Sequence, residues 1–107
     1  MKEYAVFLMP DAISDLQDIY DYVCEKSGFP ERAWVYVEKL RKKCMEMHNA
    51  PLRGQARDDL MNGLRIAAID RKTVMAFLVK EKKKSVIILN IFYGGRDYET
   101  LIAKREV

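Results

Sequence analysis

The order of apolar and polar residues predicts a strand followed by two helices. Segment 3–9 is mostly apolar and predicts a short strand, which ends at Pro10. Apolar residues then recur at helical spacing in 11–28 and again in 30–49. Pro10 and Pro30 both suit the first turn of a helix. Because only about two residues join the two helices, we expect them to fold back as a hairpin.

Each predicted helix has one apolar face. In the first helix, four aspartates occupy the face opposite the apolar stripe, so we expect them to face solvent. In the second helix, acidic Glu31 lies early and the basic residues 41–43 lie late, which matches the helix dipole. The predicted buried stripes are Ala12, Leu16, Ile19 and Val23 in the first helix and Ala33, Val37, Leu40, Cys44 and Met47 in the second.

The second half of the chain predicts three strands after a linker. Turn-forming residues fill 49–63, and apolar strand patterns follow at 64–69, 73–79 and 86–93. Short connections imply an antiparallel meander, and the almost continuous apolar pattern of the last strand indicates burial on both faces. We therefore predict a single α+β domain over residues 1–107. Its order is β-α-α-β-β-β, with the helices on one face of the sheet and a possible short C-terminal helix.

Composition narrows the class of protein only a little. The chain has 107 residues, a net charge of +3 and no apolar run long enough to cross a membrane. The N-terminus is too brief for a signal peptide, so we expect a cytoplasmic protein without a membrane partner. Cys24 and Cys44 fall about 15 Å apart in the predicted hairpin, too far for a disulfide. With two separated cysteines and one histidine, no metal site or other cofactor is expected.

Four segments carry a resemblance to a known family. They are DAISDLQDIYDYV, PLRGQARDDLMNGLR, VMAFLV and ILNIFYGGRDYETL, which cover nearly the whole chain. Their order and spacing resemble the RelE/ParE toxin superfamily of bacterial type II toxin–antitoxin systems, and the ParE-like branch in particular. The resemblance implies a toxin that a cognate antitoxin wraps and silences. ParE-like toxins act on DNA gyrase and trap it with broken DNA, whereas RelE-like toxins share the fold and cut messenger RNA on the ribosome.

The residues favour binding over RNA cleavage. Cleavage without a metal needs a base, an acid and cations that hold the developing phosphorane charge. The one histidine, His48, lies near the end of the second helix and away from the predicted sheet. The remaining catalytic candidates for a RelE-like endoribonuclease are Arg65, Tyr93 and Arg96. Tyr93 would need strong help to act as a base, because a phenol has a pKa near 10. Packing of this aromatic ring under the helices is the simpler interpretation.

Four arginines are the candidates for binding the target. Gly94 and Gly95 lack the spacing of a phosphate-binding loop, so we interpret them as a sharp strand exit that presents Arg96. By resemblance, the segment after this strand helps to bind the target. Arg65 suits an anion contact or an ion pair equally well. The full set of candidates is Arg53, Arg57, Arg65 and Arg96.

The antitoxin candidates lie on the second helix. Trp34 stands at the margin of the buried stripe and Met45 lies near the same angle, so they predict an exposed apolar fringe. The lysine-rich segment 80–84 predicts a charged hairpin tip that discourages aggregation, with steering of an acidic partner or DNA as the alternative. Sequence-specific nucleic-acid binding is not expected. The sequence thus favours a gyrase-inhibiting toxin, with a ribosome-dependent endoribonuclease or a non-toxic binding module of the same fold as alternatives.

Overall fold

The computed structural model describes residues 3–49 and 52–104. Prolines open both long helices, and Gly28 caps the end of the first. A 3-10 helix, Glu46–Asn49, continues the second. In chain order the elements are β1 (Ala5–Leu8), α1 (Pro10–Ser27), α2 (Pro30–Met45), β2 (Gln55–Ala56), β3 (Leu64–Ala68), β4 (Thr73–Lys80), β5 (Ser85–Tyr93) and α3 (Tyr98–Ala103).

One five-stranded sheet runs in the order β1-β5-β4-β3-β2. The predicted antiparallel meander of β3, β4 and β5 is confirmed, and β1 adds to its edge in parallel with β5. Strand β2 lies in the segment that was predicted as a plain linker. It has only two residues, both exposed, so it leaves no pattern in the sequence. The sheet is therefore mixed.

The α1–α2 hairpin packs on one face of the sheet, as predicted. Its core side chains include Leu16 and Leu40, which meet Phe77 and Ile88 from the sheet. Cys24 and Cys44 are free thiols, and burial raises the pKa of Cys44 to about 12. Within the described residues, no helix combines the length and the apolar character that crossing a bilayer requires.

The other face of the sheet is covered in part by α3. Ile102 of this helix packs with Leu64, Leu89 and Phe92, so the helix that the sequence left open forms a third layer. Strand β5 supplies side chains to both layers, as its continuous apolar pattern predicted. A bulge in β5 contributes to this two-sided packing. Ala76 lies opposite Asn90 while Phe77 lies opposite Ile88, which leaves Leu89 as an extra residue.

Candidate functional site

The exit of β5 has the geometry that the two glycines predicted. Gly94 and Gly95 have φ angles of 75° and 74°, and Gly94 N donates to Lys72 O at 2.8 Å. The chain then enters α3, where Asp97 caps the helix by accepting from Thr100 N at 3.2 Å. Hydrogen bonds from Thr100 lower the pKa of Asp97. Both ends of the short turn are therefore fixed, and the turn presents an exposed side chain.

That exposed side chain is Arg96, which lies at the rim of a hollow of about 330 Å³. The walls of the hollow come from α1 and from the end of β5. They combine acidic, aromatic and apolar groups around one guanidinium. The lining residues are Asp15, Asp18, Ile19, Tyr22, Ile91, Tyr93, Gly94 and Arg96.

Asp15 holds this wall of the hollow together, and its position corrects the sequence prediction. It was placed on the solvent face of α1, but it is half-buried and accepts from Ile91 N at 2.8 Å and from Asn90 Nδ2 at 3.1 Å. Burial raises the pKa of Asp15, and the hydrogen bonds from Ile91 and Asn90 and the charge of Arg96 offset only part of the rise. Asp15 stands next to Leu16 at the margin of the apolar stripe, close enough to reach β5.

Three tyrosines continue the surface from this hollow. The ring of Tyr93 makes edge contacts with Tyr22 at 5.7 Å and with Tyr36 at 5.8 Å between ring centroids. The hydroxyl of Tyr36 donates to Asp70 Oδ2 at 2.8 Å and lies 2.9 Å from Thr73 Oγ1. Tyr93 therefore packs between the two helices at the end of the sheet, within an aromatic cluster.

We expect ionisation of the Tyr36 phenol to cause a measurable loss of folding stability at alkaline pH. Burial is the main cause that raises its pKa from 10 to about 12, and the carboxylate of Asp70 adds to the rise. The folded chain holds this proton more tightly than the unfolded chain. The contribution of the protonated Tyr36 phenol to folding stability is therefore complete below about pH 10 and is lost as the pH rises to about 12. We expect the free energy of unfolding to fall over that range, and to fall less in Tyr36→Phe, in urea titrations at several pH values. An equal fall in both proteins would contradict this assignment.

Arg65 serves the linker in this structure. Its guanidinium donates to three backbone carbonyls, those of Leu52 at 2.7 Å, Gly54 at 3.2 Å and Arg53 at 3.3 Å. These bonds tie the segment before β2 to the sheet. The same segment carries Arg53, whose side chain is exposed.

The three catalytic candidates do not converge. Arg65 pairs with Phe77 on one side of β4, and Tyr93 pairs with Thr73 on the other side. The two positions differ by about 13 Å along the strand and about 10 Å across it, or about 16 Å between Cα atoms. Arg96 follows Tyr93 after the two glycines and lines the same hollow. The geometry therefore brings Arg96 and Tyr93 together but leaves Arg65 apart.

Arg57 joins the linker to α3. Its guanidinium bonds Asp59 at 2.9 Å and Glu99 at 2.6 Å, and these acids raise the pKa of the already basic side chain. Its neighbour Leu60 packs with the core cluster under α3. Arg57 is mostly covered, so its charge is engaged within the chain.

The outer face of α2 carries exposed apolar side chains. Trp34 is 60% exposed and Met45 is 39% exposed, on one side of the helix and about 16 Å apart along its axis. Phe29 and Val35, which the sequence did not single out, are 52% and 65% exposed. We call Phe29, Trp34, Val35 and Met45 the outer apolar patch.

The described part of the chain offers few side chains for metal binding or for catalysis by histidine. No group of three or more His, Cys, Asp or Glu side chains among those residues is arranged to hold a metal ion. His48 lies in the 3-10 helix, and its backbone oxygen accepts from Tyr4 N. Asp15 accepts hydrogen bonds from Ile91 and Asn90, and Tyr36 donates one to Asp70. These bonds join residues that are distant in sequence, so no local pattern revealed them.

Comparison with known proteins decides the family. Residues 6–98 match the family model described as the ParE toxin of the type II toxin-antitoxin system, parDE. The chain belongs to this family. The predicted resemblance to the RelE/ParE superfamily and to its ParE branch is thereby confirmed. No protein of curated function matches the chain in sequence.

Solved structures share the fold of this ParE-family chain. A chain of the chromosomal ParDE toxin–antitoxin system from P. aeruginosa is 25% identical, with a TM-score of 0.72 over 86% of this chain and 97% of that one. A chain of the toxin–antitoxin complex RelBE2 from Mycobacterium tuberculosis is 16% identical, with a TM-score of 0.64 over 90% and 97%. A mutant of the E. coli toxin RelE in the free state is 14% identical, with a TM-score of 0.63 over 94% of each chain. The last two show likeness of fold alone.

Proposed function

We propose that this chain is the toxin of a type II toxin–antitoxin module and inhibits DNA gyrase by binding to it. It acts as a single cytoplasmic domain, needs no cofactor and is neutralised by a cognate antitoxin. Membership of the ParE toxin family carries the proposal, with the 93 matched positions spanning most of the chain. The similarity to a chain of a ParDE system agrees with it.

The proposed target surface centres on Arg96. This arginine is exposed, stands on a turn fixed at both ends, and borders a hollow that contains the ring of Tyr22. A guanidinium beside an aromatic ring is a combination that is enriched at the centres of protein interfaces. Arg53 provides a second exposed contact. Arg65 and Arg57 contribute indirectly. Arg65 holds the segment that carries Arg53 through three backbone carbonyls, and Arg57 joins the linker to α3 through two carboxylates.

The proposed antitoxin surface is the outer apolar patch, in which Trp34 and Met45 are the principal contacts. Four large apolar side chains on and beside one helix are costly to leave in water, and a partner helix or strand would cover them. The similar solved structure from P. aeruginosa belongs to a ParDE toxin–antitoxin system, which supports a protein partner of this kind for the present chain.

Chemistry on RNA is supported less well. A RelE-like endoribonuclease would need its acid, base and cations around one scissile phosphate. The guanidinium of Arg65 bonds backbone carbonyls, and its Cα lies about 16 Å from that of Tyr93, which packs between Tyr22 and Tyr36. Binding to a target without bond cleavage does not require Arg65, Tyr93 and Arg96 to converge on one phosphate.

A supercoiling assay tests the proposal. Purified chain should inhibit gyrase, and Arg96→Ala should raise the inhibiting concentration by about 10- to 100-fold, because one charge-assisted contact is lost. The control is Arg41→Ala, which removes an exposed arginine that pairs with Glu38 on the helix surface. It should inhibit as the unaltered chain does. Thermal unfolding should show that both variants are folded.

The outcomes separate the three candidate functions. Cuts at defined codon positions in ribosome-bound message, without inhibition of gyrase, would replace the proposal with the endoribonuclease. Neither activity, from a folded chain that still binds its antitoxin, would identify a non-toxic binding module. Full inhibition by a folded Arg96→Ala variant would remove Arg96 from the target surface and leave the gyrase assignment in place.

A further inference from the structure

The turn between β4 and β5 carries lysines that the proposed function does not use. Residues 80–84 have the sequence KEKKK. Three of the four lysines are exposed and the fourth is half-buried. Within the described ranges, no salt bridge engages any of them. We call Lys80, Lys82, Lys83 and Lys84 the lysine tip.

The one acid in this turn bonds a tyrosine. Both carboxylate oxygens of Glu81 lie within hydrogen-bond distance of the Tyr4 hydroxyl, at 2.9 and 2.8 Å. Lys84 adopts a positive φ of 49°, which is uncommon for lysine, and its Nζ lies 5.5 Å from the centroid of the Tyr4 ring. Tyr4 thus engages Glu81 and Lys84, while Lys82 and Lys83 remain free to face solvent.

A second basic segment lies at the same end of the molecule. Tyr4 N donates to His48 O and Ala5 N donates to Lys84 O, both at 2.8 Å, which brings the 3-10 helix after α2 beside the lysine tip. The last turn of α2 carries Lys42 and Lys43. Lys42 and Lys43 thus add two lysines to the four of the lysine tip.

We infer that the lysine tip, together with Lys42 and Lys43, binds the phosphodiester backbone of duplex DNA. Lysine ammonium groups contact phosphates as point charges and carry no sequence information, whereas protein interfaces are depleted in lysine and enriched in aromatic residues. The tip exposes no aromatic or other large apolar side chain among the described residues. A narrow two-stranded turn also fits against a duplex. The inference rests on the proposed function, because a toxin that holds gyrase on DNA works beside a duplex.

Fluorescence anisotropy with a labelled duplex, and without gyrase, tests this inference. The unaltered chain should bind the duplex at low salt, with an affinity that falls as salt rises. Lys82→Gln/Lys83→Gln should bind about tenfold more weakly, and its slope of log affinity against log salt should be smaller by about 2, or about 0.9 for each lost phosphate contact.

The matched control removes the same charge at the opposite end of the sheet. Arg71→Gln/Lys72→Gln lies in the turn before β4, about 23 Å along that strand from the lysine tip. It should keep the affinity and the salt slope of the unaltered chain. Equal losses in both double variants would overturn the inference, because total charge would then explain the binding. Equal or tighter binding of an acidic peptide or of single-stranded RNA would also overturn it.

This assay and the gyrase assay fail independently. No gyrase is present in the anisotropy experiment, so an absence of DNA binding would overturn the DNA inference and leave gyrase inhibition to its own test. Duplex binding that depends on Lys82 and Lys83 would support the DNA surface even if supercoiling were unaffected.

Discussion

Gly54→Ala is expected to lower the free energy of unfolding by about 2–5 kcal/mol. Gly54 has a φ of +85°, and a Cβ at this position would lie 2.3 Å from Ile66 O and 2.8 Å from Ala67 Cβ. The backbone of β3 cannot yield by that much, so the linker must move outward. Movement breaks the bonds from Arg65 to the carbonyls of residues 52–54 and releases the segment that carries Arg53. Urea unfolding followed by circular dichroism measures the loss.

Gly63→Ala is the matched control for this substitution. Gly63 has a similar φ of +81°, but the nearest atom to its added Cβ is Leu78 Cδ2 at 4.0 Å. It should therefore lose only the conformational part, about 1–2 kcal/mol. The difference between the two variants isolates the close approach of the linker to β3. Equal losses would show that the linker is not held where the structure places it.

Trp34→Ala is expected to weaken binding of the cognate antitoxin by about 30-fold or more, a loss of about 2 kcal/mol. Trp34 is 60% exposed in the free chain, so its truncation should cost little stability. Once a partner covers it, however, its large ring would be removed from water. Calorimetric titration with the cognate antitoxin measures the loss. Growth arrest by Trp34→Ala that the antitoxin no longer relieves would be the matching result in cells.

Lys39→Ala is the control on the same helix. Lys39 is exposed, and its charged end belongs at the rim of any partner surface, where truncation changes affinity little. It should change the dissociation constant by less than about threefold. If a folded Trp34→Ala chain bound the antitoxin as tightly as Lys39→Ala does, the outer apolar patch would not be the antitoxin surface.

The regular elements were predictable because burial leaves a period in the sequence. The helix pattern located Ala12, Leu16 and Ile19 on the buried face of α1, and all three are buried. The continuous apolar pattern of β5 indicated burial on both faces, and its side chains enter both core clusters. Two adjacent glycines predicted a sharp exit, and both have positive φ. Each of these signals is local.

The rest of the fold depends on contacts between distant segments. The parallel pairing of β1 with β5 joins residues about 80 positions apart, and no local pattern encodes its direction. Strand β2 is too short and too polar to show a period. The side of the sheet that α3 covers follows from how the chain turns after Gly95, which residue type alone does not fix.

The candidate site was predictable in its residue types but not in its pairings. Arg96 was expected to be presented by the turn, and it is exposed there. Arg57 and Arg65 were equally suitable candidates in sequence, yet one bonds two carboxylates and the other three carbonyls. Asp15 was expected in solvent and instead accepts from the backbone of Ile91. The positions of arginines and aspartates in the sequence show which charged side chains are available. Only the folded chain shows which group each of them bonds.

We propose that this chain traps gyrase on DNA by binding and breaks no bond itself. The most direct measurement adds the purified chain to plasmid DNA, with and without gyrase, and separates the products after protein digestion. We expect linear DNA that accumulates only when gyrase is present. Cleaved nucleic acid in reactions without gyrase, whether plasmid or ribosome-bound message, would contradict it.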